Sequence, residues 1–454
     1  GRLSKWPVKV SWQEYFDSDG KQFRQQAIAS ITADQELRDH FGIDISDFVE
    51  GSIPANITYT AFTGNKSEAA ISMDLTASKL KLEAFHYEKQ VGKSARGSLK
   101  AELNNGILGK ISNLEIQAPN LQASGGDISF RGSGDNARVT DFSFDRMVVG
   151  ETIAAIKMAM GQNGQMKISL NGPFLDLRPF LGDSEEENSE AGYEEYNEPP
   201  MVLAIAVDQM RTADNETVQY GKIYADIDAK GRFNQLEMDG IAGKGDIYLR
   251  YKPDERGVRT FRFEADDAGA ALKAFDVYKN IQGGKLVIYG EPIRGIYDRN
   301  LLGVAQITDF KVVEAPSLAR LLGALSLPGV LQLLNNEGLS FSKLEAKFDW
   351  LYRPGGALLV LKEGRTSGNS LGLTFDGVFD NAAHKVDVSG TIIPLSGINK
   401  AIGSIPLIGD VLTGGTGAIF AATYSMKGES EKPDISVNPL SVLAPGILRR
   451  ILFE

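Results

Sequence analysis

Apolar and polar residues alternate along most of this chain. In "DISFRG", Ile128 and Phe130 alternate with Asp127, Ser129 and Arg131, and in "TDFSFDR" Phe142 and Phe144 do the same. "KIYADIDAK" sets Ile223, Ala225 and Ile227 against Tyr224, Asp226 and Asp228. The period returns at Phe261 and Phe263, at Leu286 and Ile288, at Leu344, Ala346, Phe348 and Trp350, and at Leu371, Leu373 and Phe375. Such alternation belongs to strands with one wet and one dry face, which is the habit of antiparallel rather than parallel sheet. The predicted fold is therefore mainly β, a long antiparallel twisted sheet. At roughly 13 residues per strand and turn, some 28–30 strands fit. Period two does not say whether the dry face lines an open groove or packs on a second sheet.

Turn signals separate the strands. Asn105-Gly106, Asn163-Gly164 and Asp19-Gly20 are hairpin dipeptides. "LEIQAPNLQASGGDISF" and "LEMDGIAGKGDIYL" read as two copies of one strand–turn–strand unit with different spacing. Four segments break the pattern. Residues 183–200, "DSEEENSEAGYEEYNEPP", carry eight acidic residues and read as a solvated loop or linker without calcium-loop spacing. Residues 315–336 have leucines at 318, 321, 322 and 325, which is helical spacing, and Pro328 starts a second short helix. Residues 395–415 read as two helical turns split at Pro406. The tail "SVNPLSVLAPGILRRILFE" reads as a last helix from about Pro445.

Composition sharpens this picture. Glycine supplies 49 of 454 residues, about 11% against a usual ~7%, which suits many turns and bulges. The formal charge is −11 and no Lys/Arg run exceeds a pair, so nucleic acid is not an expected partner. The absence of cysteine excludes thiol catalysis, thiolate metal sites and disulfides. The two longest charge-free stretches, 321–336 and 411–426, are 16 residues each and fall short of the ~18–20 that span a bilayer.

Candidate chemistry is thin. Gly368-Asn369-Ser370-Leu371-Gly372 matches the G-x-S-x-G elbow, but a helix must follow the serine and "LTFDGVFD" alternates like a strand. The downstream His384, with Asp376 and Asp380, would face different sides of one hairpin. His40, His86 and His384 are not at metal-ligand spacing. "GKS" at 92–94 lacks the first glycine of a phosphate loop, with Tyr87 in its place. The expectation is a protein that is not an enzyme and has no cofactor and no metal.

The C-terminal region carries a resemblance. Ile-Pro-Leu-Ile-Gly at 405–409, Leu-Thr-Gly-Gly at 412–415, the strand ending in Tyr424, the lysine-glycine exit with Pro433, and Asn438-Pro439-Leu440-Ser441 to Pro445-Gly446 resemble AsmA-like (YhdP-like) bacterial envelope proteins. "FEADDAGAALKAFDVYKNIQGGKL" (263–286) and 314–341 are similar, "LNGPFLDLRPFL" (170–181) more loosely; the likeness covers about 170–454. It implies a sheet curled into an open hydrophobic groove with a few short amphipathic helices near the C-terminal end. It also implies non-enzymatic transport of phospholipid across the periplasm between inner and outer membrane. Those membranes and the lipid would be its partners, with an inner-membrane anchor in an N-terminal segment that this chain lacks. A structural scaffold or assembly factor for the outer membrane is the alternative.

The expected division is a β-groove segment at 1–182, the acidic linker at 183–200, a second groove segment at 201–313 and an AsmA-like C-terminal region at 314–454. Candidate groove residues are Ile128, Phe130, Phe142, Phe144, Ile223, Ile227, Phe261, Phe263, Leu286, Ile288, Leu344, Phe348, Leu371, Leu373 and Phe375. Ile447, Leu448, Arg449, Arg450, Ile451 and Leu452 are candidates for contact with a membrane or an envelope protein. There they would form either an exit helix or a plug over an edge strand.

Overall fold

The computed structural model describes residues 2–3, 6–14, 24–40, 43–62, 64–132, 137–181, 199–293, 300–325, 327–353, 356–394 and 421–440. The expected helical turns at 395–415, most of the acidic segment and the whole tail from 441 lie outside these residues. The chain is mainly β, 66% strand and 10% helix, with 23 strands in one long mixed sheet that is not closed into a barrel. It divides into two compact units, one holding the strands up to Arg211, the other those from Lys230 on.

The first unit opens with β1 (Arg2–Leu3), β2 (Trp6–Pro7), β3 (Lys9–Glu14), β4 (Gln25–Ala33), helix α1 (Gln35–His40), β5 (Val49–Glu50), β6 (Ile53–Ala61) and β7 (Lys66–Asp74). Then come β8 (Lys79–Leu82), a 3-10 turn (Glu83–Phe85), β9 (Tyr87–Lys89), β10 (Arg96–Asn104), β11 (Ile107–Ala118), β12 (Leu121–Arg131) and β13 (Arg138–Val149). It closes with β14 (Thr152–Met160), β15 (Met166–Asp176), α2 (Arg178–Leu181) and β16 (Met201–Ala213). In its main sheet the order is β3-β4-β6-β7-β10-β11-β12-β13-β14-β15-β16. The expected hairpin turn is present at Asn105-Gly106, with φ of 52° and 78° matching a turn that needs two positive values.

One pair corrects the antiparallel expectation. β15 and β16 run parallel, from Met166↔Met201 to Asp176↔Arg211. A parallel neighbour cannot be reached by a tight turn; it needs a crossover of a dozen residues or more. Residues 177–200 supply it, so the acidic segment belongs to the connection that reverses the meander.

Two insertions at neighbouring strand ends build a lid on this sheet. α1 and β5 lie between β4 and β6, and β8, the 3-10 turn and β9 lie between β7 and β10. β5, β8 and β9 pair into a small sheet. Asp34 caps α1 by accepting from the Leu37 amide at 2.8 Å and also holds Trp6 Nε1 at 3.2 Å. Lys89 is 3% exposed, and its Nζ donates to the carbonyls of Leu75 (2.7 Å), Thr76 (3.2 Å) and Ser78 (2.7 Å). Burial pushes that amine below the ordinary lysine value. Arg38, also buried, donates to Gly51 O at 2.8 Å and Ala33 O at 3.1 Å. These cations tie the lid to strand-end carbonyls that would otherwise be buried without partners.

The second unit contains β18 (Phe233–Ala242), preceded by β17 (Glu216–Ile227), whose residues are divided between the units. β19 (Gly245–Pro253), β20 (Arg259–Ala265), α3 (Ala268–Ala274), β21 (Ile281–Pro292), β22 (Leu301–Val312), α4 (Pro316–Ala324), α5 (Pro328–Asn336) and β23 (Leu339–Leu351) follow. β24 (Leu358–Gly368), β25 (Leu371–Asp380), β26 (Lys385–Pro394), β27 (Ala421–Glu429) and β28 (Asp434–Leu440) complete it. Its described neighbours from β18 to β28 are antiparallel in chain order. Both expected helices of 315–336 are present, each with proline in its first turn, and they bury Leu321, Leu322, Val330 and Leu334. α4 follows β22 and touches β28. The helix therefore lies across the strand ends of this sheet, from β22 toward β28.

Candidate functional site

The register joins the alternating residues of the first unit into continuous rows. One row runs Trp12–Ala27–Tyr59–Ala69–Ala101–Ile111 and continues Ile128–Phe142–Met158–Ile168–Leu203. It crosses all eleven strands of the sheet without a polar side chain. A second row beside it includes Val10–Ala29–Ile57–Ile71–Leu99 and Phe144–Ile156–Leu170–Ile205. The register row one residue over lies on the other face and is polar: Gln13–Gln26–Thr60–Glu68–Glu102–Lys110–Ser129–Asp141.

The same apolar face has two fates along the strand direction. Near the lid, Ile53, Leu75, Leu80, Ala95, Leu121, Met147 and Val149 form one buried cluster. Ile53 is on β6 and Val149 on β13, five strand spacings or ~24 Å apart in a flat sheet. Likewise Phe85 of the lid meets Phe180 of α2, beyond β15, with ring centroids 5.8 Å apart. The lid therefore reaches across the strand ends from β6 to beyond β15 and covers the apolar face there; beyond the lid the same face is left as an open trough. Away from the lid most of the first row is only half-covered, although Met158, and Leu170 and Ile205 of the second row, are buried. Ala27, Ile111, Ile128, Phe142 and Ile168 are intermediate, and Trp12 is 61% exposed. The rim beyond carries Phe130–Val139 and Met160–Met166–Met201.

Glycine makes room for two of the rings. A Cβ on Gly126 would stand 2.5 Å from the Phe144 ring and 2.8 Å from Leu114 O. Gly364 is equally intolerant under Phe375 in the second unit. In each case a ring packs against a glycine on the neighbouring strand, in space that a Cβ would occupy.

The candidate residues of the second unit also fall on one face. Leu286, Leu344 and Leu373 share the row Ile247–Ala265–Leu286–Ile307–Leu344–Thr366–Leu373–Ile392–Ala422. Phe263 and Ile288 pair in the next row, and Phe261 and Phe348 lie in the one after, separated by Gly290 and Gly303. Many of these positions are closed: Ile247, Ile392 and Ala422 are fully buried, Phe263 is buried with its ring edge-on to Phe275, and Leu371 is buried. Ile223 and Ile227 on β17 are half-buried beside the fully buried Val218 and Ala225. Ile447 to Leu452 lie outside the described residues. Trp12, Tyr59, Ile111, Met158 and Leu203 were not among the sequence candidates, although "KVSWQE" and "ITYTA" alternate as clearly as the stretches that were.

The elbow motif is a hairpin here. β24 ends at Gly368 and β25 starts at Leu371, so Ser370 sits in a strand–turn–strand and not before a helix. His384 follows the other end of β25, ~30 Å away along a ten-residue strand. Those two groups cannot act together. Among the described residues no cluster of three His, Asp or Glu could hold a metal ion, and no helix is long and apolar enough to cross a membrane. A shallow concavity of about 530 Å³ lies over β13–β16, with Asp141, Ser143, Lys157, Lys167 and Ser169 around it. By register these belong to the polar face, as do Ala159, Val202 and Ala204, and the concavity is also bordered by Phe142, Met158 and Ile168 of the apolar row.

Comparison with family models, with curated proteins and with solved structures finds no match.

Proposed function

We propose that this chain moves phospholipid without chemistry, its acyl chains lying in the apolar trough and its headgroups in water. The observation that carries the reading is the row from Trp12 to Leu203, apolar across eleven strands and, except at Met158, half-open or open to solvent. Each acyl CH₂ exposed to water costs ~0.8 kcal/mol, so two chains of ordinary length forbid free passage. A continuous apolar wall removes that cost at every step and needs no catalytic group. Strand-to-strand spacing gives the first unit's row a contour of roughly 50 Å, longer than one extended acyl chain. The resemblance of residues 170–454 to AsmA-like proteins adds the setting: the periplasm, with lipid passing between inner and outer membrane.

The test is native mass spectrometry of the purified chain for co-purified phospholipid, followed by uptake of a fluorescent phospholipid after delipidation. Bound lipid and saturable uptake are expected. Protein that is lipid-free as isolated and takes up none afterwards would overturn the reading.

A further inference from the structure

We infer that Arg131 and Arg138, at the facing ends of β12 and β13, hold the phosphate of a lipid whose acyl chains occupy the trough, and so select anionic phospholipid. Arg131 is the last residue of β12, Arg138 the first of β13, and the register sets them directly opposite each other. Like charges facing each other across two strands repel and destabilise the pair. On the same face Lys110 sits beside Asp127 at 2.7 Å and Lys100 beside Glu68 at 2.8 Å. Among the described residues neither arginine has a hydrogen bond or an ion pair, and both are exposed. In a chain of net charge −11, two facing arginines without a partner among the described residues mark a place for an external anion.

Position decides which anion. Phe130 and Val139, each one residue from an arginine, are paired at the rim of the trough and continue the face of Ile128 and Phe142, while the arginines end the same strands on the polar side, where a headgroup turned over the rim would meet them. A ligand that is apolar where it meets Phe130 and anionic one residue further matches a phospholipid. Two guanidiniums can each give the phosphate parallel N–H donors, and the second cation favours a lipid that keeps net negative charge. A free phosphate shares the oxygen chemistry but makes no use of the adjoining apolar rim.

The inference rests on the trough reading, and the experiment separates the two. The delipidated chain is offered phosphatidylglycerol or phosphatidylcholine with the same fluorescent acyl chains, and inorganic phosphate alone by calorimetry. Phosphatidylglycerol is expected to load about tenfold more tightly, the effect of one net charge-assisted contact. The double variant R131Q/R138Q is expected to keep the parent's melting temperature and its affinity for phosphatidylcholine while losing the preference. A variant that keeps the preference, or a parent that has none, overturns the inference and leaves the trough standing. Phosphate alone binding at the arginines, with no lipid preference, assigns the pair to a soluble anion and likewise overturns it. A parent that loads neither lipid removes the trough reading and this inference together.

Discussion

The two ends of the first unit's apolar face differ although one sequence pattern makes both. At the lidded end, Leu121 and Val149 are 4% exposed and sit among Ile53, Leu75 and Leu80. A few residues along the same strands, Ile128 and Phe142 are half-open. The lidded end is a conventional core, closed by short strands and by cations bonded to carbonyls. The other end has the same side-chain chemistry without the cover. Apolar composition therefore does not distinguish a core from a ligand wall; what distinguishes them is whether the chain brings its own second layer.

The contrast is sharpest for a buried charge. Val149→Asp should cost about 3–5 kcal/mol, because the carboxylate is sealed among apolar side chains. Ile128→Asp should cost about 1 kcal/mol or less, because water reaches it, yet it should impair lipid uptake. Denaturant titration of both variants checks this. Equal losses would mean that both ends are core.

Lys89→Met removes the donor that three carbonyls share and should cost about 1–3 kcal/mol. Hydrogen exchange should then rise in β8 and β9 and stay unchanged at Ile128 and Phe142. Exchange rising equally along the strands would contradict a separate lidded end.

Gly126→Ala sits between the two ends, under Phe144. Displacing the ring should cost on the order of 1–2 kcal/mol, readable as a lowered melting temperature. An unchanged melting temperature would show that the ring is not held there.

The smallest effect is one of pH. The Arg178 guanidinium, bonded to Asp176 at 2.9 and 2.8 Å, holds that carboxyl below its ordinary 3.8. A carboxyl depressed in the folded state contributes stability above its unfolded pKa and loses it as pH falls through the folded value. The stability gap between the parent and Asp176→Asn should thus be constant above about pH 5 and close below pH 3.8. A gap that widens in acid would reverse the assignment.

Much of the fold was legible because period two reports directly which side of a strand is dry. Phe142 and Phe144, or Leu371 and Leu373, could be placed on one face from spacing alone. Asn105-Gly106 gave a turn, and Pro328 gave the start of a helix. The lid was not legible. Its short strands carry two to four residues each, too few to establish a period, and its purpose depends on partners far along the chain. Bulges hid part of the site as well: Asn113, at φ 52°, interrupts the alternation between Ile111 and Leu114. The parallel pairing of β15 with β16 was missed for another reason. Local pattern says that a strand exists and not which way its neighbour runs.

The most direct test places a photo-crosslinking residue at single positions in otherwise unchanged protein and asks which ones capture radiolabelled phospholipid. Phe142 and Ile128 are in the half-open row, Ser143 and Ser129 are their neighbours on the polar face, and Val149 is under the lid. Lipid adducts are expected at 142 and 128, and none at 143, 129 or 149. Adducts equally frequent on both faces, or absent from 142 and 128, would contradict a lipid-bearing trough.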